Sequence, residues 1–152
     1  MPRRRQKSAA SEWLLLVYKI PREPTAGRVF VWRKLKQLGA LPVQGAIWVL
    51  PHSPRNQEHF QWLATEIIEC KGTATIFRAR PVFETESAEL RDRFEAPVRR
   101  SYQRILQALG RRQRDLPELS KQFQATQARD FFRCALSRHV RRKLVAAQGT
   151  KK

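Results

Sequence analysis

The chain has 152 residues, of which 41% are hydrophobic and 29% charged, and its formal net charge is +18 from 31 Lys and Arg against 13 Asp and Glu. The apolar content excludes a wholly disordered chain, and no apolar run approaches the ~20 residues that a membrane-spanning helix needs. Self-repulsion of so many cations opposes folding, and a polyanionic partner, most often nucleic acid, is the usual reason for such an excess. We therefore expect DNA as a partner and no membrane association.

The first half of the chain alternates strand and helix patterns. Proline and glycine at the ends of the segments mark the boundaries. The order predicts a ferredoxin-like split βαβ domain with two helices facing one side of a small antiparallel sheet. The predicted elements are a buried strand at Trp13–Ile20, a helix at about Thr25–Leu38, one bulged or two short strands within Ala40–Pro51, a helix from Pro54 to about Cys70, and a strand at Thr73–Ala79.

Apolar spacing within the first half predicts which side chains are buried. In the first helix the stripe is predicted to be Val29, Trp32, Leu35 and Leu38, and in the second Phe60, Leu63 and Ile67 with Trp62 alongside. We expect Trp32 and Trp48 to belong to the core and not to act as stacking platforms.

The second half reads as helical throughout. Apolar residues recur every three or four positions from Glu86 to Gly110, with a kink or a fresh start expected at Pro97, and again from Leu116 to about Gln148. The short link between them predicts an antiparallel hairpin. The predicted fold class is α+β, a ferredoxin-like split βαβ domain followed by a basic antiparallel helical hairpin. The predicted boundaries are a flexible basic arm at 1–11, the ferredoxin-like domain at 12–83, the hairpin at 84–148 and a basic tail at 149–152.

Positive charge is concentrated in the second half. Residues 99–152 contain 15 Lys and Arg against three Asp and Glu. With so few acids available for pairing along the helices, contact with phosphates is a better interpretation than a solvated helix face. The N-terminal arginines are equally well explained as a DNA-gripping arm or as a solubilising tail. The candidate nucleic-acid-binding residues are Arg3, Arg4, Arg5, Arg99, Arg100, Arg104, Arg111, Arg112, Arg114, Arg138, Arg141, Arg142 and Lys143.

A smaller group of cations follows the first strand. Lys19 ends the strand, and Arg22 and Arg28 follow within ten residues. These three residues are candidates for binding an oxyanion such as chromate. The alternatives are a solvated lysine at the strand end and an arginine that stabilises the surface.

The cysteines and histidines do not predict a metal site. Cys70 and Cys134 form no CxxC pair, and neither His52 and His59 with Cys70 nor His139 with Cys134 has a full ligand set. We expect no metal, no cofactor, reduced thiols and, because no signal peptide is recognisable, a cytoplasmic location.

Several short motifs together resemble the N-terminal domain of the ChrB family. The resemblance extends from Trp13 to about Leu144 and continues through "RFEAPVRRSYQRIL" and "ARDFF". The motifs that carry it are Pro-x-Glu-Pro at 21–24, Arg-Val-x-x-Trp-Arg at 28–33, Leu-Gly-Ala at 38–40 and Gln-x-x-x-Trp at 44–48.

The resemblance implies a bacterial transcription regulator in a chromate-resistance setting, with chromate as the effector. It also implies kinship to the central domain of PaaX-type repressors and to CRISPR-adaptation nucleases of ferredoxin-like fold. Those nucleases hold a metal with an Asp after a Tyr at the end of the first strand, whereas here Lys19 follows Tyr18. Because a Lys ammonium repels a metal ion, we expect that the chain is not an enzyme.

The sequence therefore predicts a DNA-binding transcriptional regulator associated with chromate resistance. ChrB proteins are longer, and we expect their second domain to be absent here or supplied by another polypeptide. Two alternatives stay open, a non-catalytic module that binds a separately encoded sensor domain and a metal-dependent nuclease. A homodimer is a further expectation, because the edges of such a sheet can pair.

Overall fold

A computed structural model describes residues 12–149. The predicted arm with Arg3, Arg4 and Arg5 and the end of the predicted tail lie outside the described residues. The chain divides into two compact units, one that ends at Ala88 and one that begins at Glu89. Each unit has its own core and is described separately. No helix in the described part of the chain is long and apolar enough to cross a membrane.

The first unit contains a four-stranded antiparallel sheet. The strand order is β2-β3-β1-β4, with the first strand paired to the third and the fourth. This is the order of a ferredoxin-like fold, in which two split βαβ units interleave, and it confirms the predicted α+β class. Its elements are β1 (Trp13–Lys19), α1 (Thr25–Leu38), β2 (Leu41–Gln44), β3 (Ile47–Pro51), α2 (Pro54–Glu69) and β4 (Thr73–Ala79).

The second helix matches its sequence pattern closely. Phe60, Leu63 and Ile67 are fully buried, as the stripe predicts. At the helix start, the Ser53 hydroxyl accepts a 3.0 Å hydrogen bond from the backbone N–H of Asn56. The Asn56 side-chain amide in turn donates to the Pro51 carbonyl at 2.9 Å, which ties the start of α2 to the end of β3. Local capping and burial thus agree at this helix.

The stripe predicted for the first helix is wrong in part. Leu35 is buried, but its partner in the core is Val31, and Val29 and Trp32 are exposed. A stripe read every three residues drifts around a helix, because a turn takes about 3.6 residues. The pair at i and i+4 therefore faces the core, and the residues three apart are carried out to solvent. Trp48, in contrast, is 5% exposed and confirms its predicted place in the core.

The segment from Ala40 to Pro51 forms a hairpin, which is the second of the two forms predicted for it. Gly45 and Ala46 connect its two strands, and Gly45 has a φ of +49°, which favours glycine. The pairing shifts register between Pro42 and Gln44. Because proline has no N–H to donate to the ladder, such an irregularity is expected at an edge strand.

The second unit is built from three helices around one core. The helices of this half are α3 (Glu84–Leu109), α4 (Leu116–Ala128) and α5 (Leu136–Gly149). The rings of Tyr102 and Phe123 lie 5.9 Å apart, and each residue is seven positions from the helix end that adjoins the connecting link. The predicted antiparallel course of these two segments follows from that pairing. Their core is formed by Val98, Tyr102, Ile105, Leu109, Leu116, Leu119, Phe123, Val140, Leu144 and Ala147.

One helix prediction in this half is narrowed and another is corrected. Of the kink or fresh start expected at Pro97, the fresh start does not occur, because α3 continues through the proline. The nearby Phe94 and Val98 are buried, and their packing offsets the missing backbone hydrogen bond. The helix predicted from Leu116 to Gln148 is two helices, because residues 129–135 interrupt it. Within the interruption Arg133 has a φ of +53°, which no regular helix allows.

Candidate anion-binding sites

The end of β1, the start of α1 and the β2–β3 turn enclose a cleft of about 590 Å³, which we call the strand-end cleft. Its position follows from the chain path. Pro21 lies just beyond β1, the chain turns back into α1 at Thr25, and the Tyr18 N–H donates a 3.2 Å hydrogen bond to the Ala46 carbonyl of the hairpin turn. The lining residues are Tyr18, Lys19, Ile20, Arg22, Thr25, Arg28, Val29, Trp32, Gly45 and Ala46.

The cleft brings together all three residues predicted to bind an oxyanion. Lys19, Arg22 and Arg28 line it and are exposed. Of its ten lining residues none is acidic, and none of the three cations forms an ion pair with another residue in the range 12–149. Three unneutralised charges around one concave surface favour an anion there.

The first turn of α1 contributes to the same electrostatic environment. Thr25, its first residue, lines the cleft, and the preceding Pro24 offers no side-chain cap. The first turn contains no acidic residue. The free N–H groups and the positive end of the helix dipole therefore add to the charge of the three cations.

The acid nearest the start of β1 is neutralised away from the cleft. The Glu12 carboxylate accepts hydrogen bonds from Arg80 Nη2 at 2.6 Å and from Arg78 Nε at 2.8 Å. These bonds, first from Arg80 and then from Arg78, lower the pKa of Glu12 to about 2. Its contacts tie the entry to β1 to the end of β4 and the residue after it. We therefore assign Glu12 a structural role.

Sequence reasoning missed the aromatic side of the cleft. Trp32 was predicted as core, yet it is 52% exposed and lines the cleft with Tyr18. The signal that would have found it is the spacing of Arg28 and Trp32, which are four apart and therefore neighbours on one helix surface.

The second unit presents the larger set of predicted cations. All of those between Arg99 and Lys143 are exposed. Four have local partners that explain them in part. Arg104 Nη2 donates a 3.4 Å hydrogen bond to the Ser101 hydroxyl. Arg99 lies 3.7 Å from Glu95, Arg114 donates a 2.5 Å hydrogen bond to the Leu109 carbonyl at the end of α3, and the Arg141 guanidinium lies 5.9 Å from the centroid of the Phe123 ring.

Apart from Arg99, the predicted cations between Arg99 and Lys143 form no ion pair within the described chain. Arg100 and Arg104 lie four apart on α3, on the side opposite its buried stripe, and Arg138 and Arg142 repeat this arrangement on α5. Both strips point away from the core that the two helices share. The remaining unpaired residues, Arg111 and Arg112 in the α3–α4 link and Lys143 on α5, extend this set.

The structure gives no metal-ligand cluster to these surfaces. Within residues 12–149, no group of three or more His, Cys, Asp or Glu side chains is placed to hold a metal ion. Cys70 and Cys134 are both free thiols and half-buried.

Two comparisons with known proteins give matches to this chain. A family model described as "Protein ChrB, N-terminal" matches residues 28–126. Protein ChrB of Cupriavidus metallidurans is 30% identical over 88 residues, which cover 58% of this chain and 27% of that protein. The matched region therefore spans about a quarter of the length of the curated relative. No solved structure matches the chain.

Proposed function

The chain belongs to the family of the N-terminal domain of protein ChrB, and we propose that it acts as a DNA-binding transcriptional regulator in chromate resistance. The observation that carries this proposal is the set of exposed arginines and lysines in the second unit that have no ion pair among the described residues. Family membership suggests the chromate setting, and the charge suggests the partner.

The proposed contact uses the outer strips of α3 and α5. Arginine binds phosphate with a planar fork of donors and is always charged. Pairs four apart, such as Arg100 with Arg104 and Arg138 with Arg142, hold two such forks side by side on one helix face. Contacts of this kind give affinity and position the protein on a duplex, and they carry no base specificity by themselves.

The first test measures affinity for duplex DNA across a salt titration. We expect Arg100→Gln/Arg104→Gln and Arg138→Gln/Arg142→Gln each to weaken binding about tenfold or more and to reduce the salt slope by about one for each phosphate contact removed. The matched control is Arg33→Gln/Arg55→Gln, which removes the same charge from exposed positions on α1 and α2. If the control weakens binding as much as the test variants, net charge and not these strips accounts for the affinity.

Regulation is tested with the DNA upstream of the gene itself. A specific regulator binds that DNA at least about tenfold more tightly than random duplex at the same salt concentration, because non-specific affinity rests on phosphates alone. As the proposed effector, chromate then weakens binding to the upstream DNA. Equal affinity for both DNAs would assign specificity to a partner.

We propose that the chain has no nuclease activity. Metal-dependent cleavage needs hard oxygen ligands for the metal. Lys19 ends β1, and the ten lining residues of the strand-end cleft include no carboxylate. A supercoiled-DNA nicking assay with Mg²⁺ or Mn²⁺ tests this proposal, and metal-dependent nicking by pure protein would contradict it.

The second candidate function is a module that docks a separately encoded sensor domain. It is favoured by two large apolar side chains, Val82 and Phe83, which are exposed between β4 and α3. This candidate predicts weak DNA binding at moderate salt. The salt titration above separates it from the first.

A homodimer formed through the sheet is part of the proposal. The two edge strands are β2 and β4. The first has four residues and an irregular register at Pro42, whereas the second has seven residues and is the better template for pairing. Light scattering after size-exclusion chromatography tests this, and a monomer at all concentrations would contradict it.

A further inference from the structure

The strand-end cleft is larger than a lone oxyanion requires. Its volume of about 590 Å³ lies within the roughly 300–1,000 Å³ typical of small-molecule pockets. At roughly 30 Å³ per water molecule, the cleft has room for many more atoms than the five of a tetrahedral oxyanion. The cleft therefore has room for an anion considerably larger than a single oxyanion.

The cleft is also lined by an exposed aromatic ring. Trp32 lines the cleft at 52% exposure, so burial in the core does not explain it. The Lys36 ammonium lies 5.5 Å from the centroid of its ring, and Arg28 is one helical turn before it. An indole beside fixed cations is the arrangement on which a nucleobase stacks while its phosphates are neutralised.

A second exposed tryptophan in the same unit serves as a comparison. Trp62 on α2 is 55% exposed and has the Lys34 ammonium 5.6 Å from its ring. Trp62 is not among the residues that line the strand-end cleft. Exposure and a neighbouring lysine are thus common to both tryptophans, and only Trp32 combines them with a concave cationic surface.

We propose that the strand-end cleft binds a nucleoside phosphate, with the phosphates against Lys19, Arg22 and Arg28 and the base on Trp32. The charge of the cleft selects the phosphate end, and the indole selects the aromatic end. This site lies wholly within the first unit, whereas the proposed DNA contact uses the second. The two proposals therefore succeed or fail independently.

The first experiment is isothermal titration calorimetry of the full chain with ADP, adenosine and inorganic phosphate. We expect ADP to bind at least about tenfold more tightly than either adenosine or phosphate, since both ends contribute. Chromate should compete only weakly with ADP. If inorganic phosphate or chromate binds as tightly as ADP, the nucleotide assignment is wrong and the cleft is a simple oxyanion site.

Paired variants locate the binding site. Trp32→Ala is expected to weaken ADP binding about tenfold, while Trp62→Ala, an equally exposed tryptophan, leaves it unchanged. Arg28→Gln is expected to weaken it by a similar factor and Arg33→Gln to leave it unchanged. Circular dichroism verifies that each variant is folded. Equal losses within either pair would overturn the proposal.

Two nucleotide sources share this chemistry, and a third titration separates them. A short 5′-phosphorylated single-stranded oligonucleotide is compared with ADP and with the same strand lacking its phosphate. Tighter binding of the phosphorylated strand than of ADP identifies a strand end as the ligand, and the reverse identifies a free nucleotide. If ADP and both oligonucleotides bind without dependence on Trp32, both sources are excluded and the inference is wrong.

The same titrations distinguish this inference from the DNA-binding function. Arg100→Gln/Arg104→Gln is expected to keep full ADP affinity while it loses duplex affinity. Trp32→Ala is expected to show the opposite pattern. ADP binding that disappears in the Arg100→Gln/Arg104→Gln variant would place the nucleotide outside the cleft and overturn the inference.

Discussion

The Tyr102 hydroxyl donates a 2.9 Å hydrogen bond to Asp130 across 28 residues of sequence. The same carboxylate accepts the Cys134 backbone N–H at 2.9 Å through its other oxygen. Asp130 therefore ties α3 to the interruption between α4 and α5. The ring of Phe94 packs edge-on against Phe131, with ring centroids 5.8 Å apart, and adds an apolar contact to the same segment.

Tyr102→Phe should destabilise the protein by about 1–3 kcal/mol, because it leaves the partly buried Asp130 carboxylate with one fewer hydrogen-bond partner. Urea denaturation followed by far-UV circular dichroism measures the loss, since all four tryptophans lie in the first unit. Tyr18→Phe is the control, because Tyr18 lines an open cleft. Equal stability of Tyr102→Phe and the unaltered chain would show that the bond is unimportant.

Ionisation of the Tyr102 hydroxyl should make the stability of the folded state depend on pH in the alkaline range. Burial raises the pKa of Tyr102 above its ordinary value of 10.0, and Asp130 adds to the rise. The folded state holds the proton more tightly than the unfolded chain does, so this stabilisation is full below pH 10 and is lost as pH rises toward the folded pKa. Absorbance titration should therefore show one tyrosine that ionises only as the protein unfolds, and Tyr102→Phe should abolish that step.

Protonation of the Glu12 carboxylate should have the opposite effect, a loss of stability as pH falls in the acid range. Its pKa falls from 4.5 to about 2 because Arg80 and Arg78 bind the charged form. The stabilisation is present above pH 4.5 and disappears as pH falls toward 2. Glu12→Gln should therefore be less stable at neutral pH and lose less stability across this window.

Glu58→Gln is the control for the acid titration. Glu58 is exposed on α2 and has no ion pair among residues 12–149. Thermal melts at several pH values between 7 and 2 compare the two variants. If the Glu12→Gln variant loses as much stability in acid as the unaltered chain does, Glu12 is not the cause of that loss.

Gly72→Ala is expected to destabilise the first unit. A Cβ at this position would lie 2.4 Å from the Lys19 carbonyl oxygen and 2.8 Å from Ile67 Cγ2. Backbone cannot yield as a flexible side chain does, so we expect a cost of about 1–3 kcal/mol. Far-UV circular dichroism during urea denaturation measures it, because that signal reports the helices of both units. Gly149→Ala, with open space around its Cβ, should be neutral, and equal effects would contradict the packing argument.

The two tryptophans predicted as core should differ sharply. Trp48→Ala is expected to cost about 3–5 kcal/mol, because it leaves a cavity in the core. Trp32→Ala should change stability by no more than about 0.5 kcal/mol, because its ring is largely exposed. Denaturation midpoints of the two variants measure these costs. A large loss of stability in Trp32→Ala would show that Trp32 is part of the core.

Much of the first unit could be predicted because its local and tertiary preferences agree. The strand and helix order, the cap at Ser53, the turn at Gly45 and the stripe of Phe60, Leu63 and Ile67 all follow from short-range chemistry. Sequence patterns did not predict the break between α4 and α5, where Asp130 accepts a hydrogen bond from Tyr102, because a contact between residues so far apart in sequence leaves no local signal.

The sequence by itself determined the α+β class, the helical second half and the places where charge gathers, because periodicity, turn residues and composition act over short distances. Only the tertiary structure decided which face of α1 is buried and that Trp32 lines the same cleft as Lys19, Arg22 and Arg28. Those outcomes depend on which surfaces the sheet and its hairpin turn leave uncovered. Such contacts join residues distant in sequence, and they become visible only when the chain is folded.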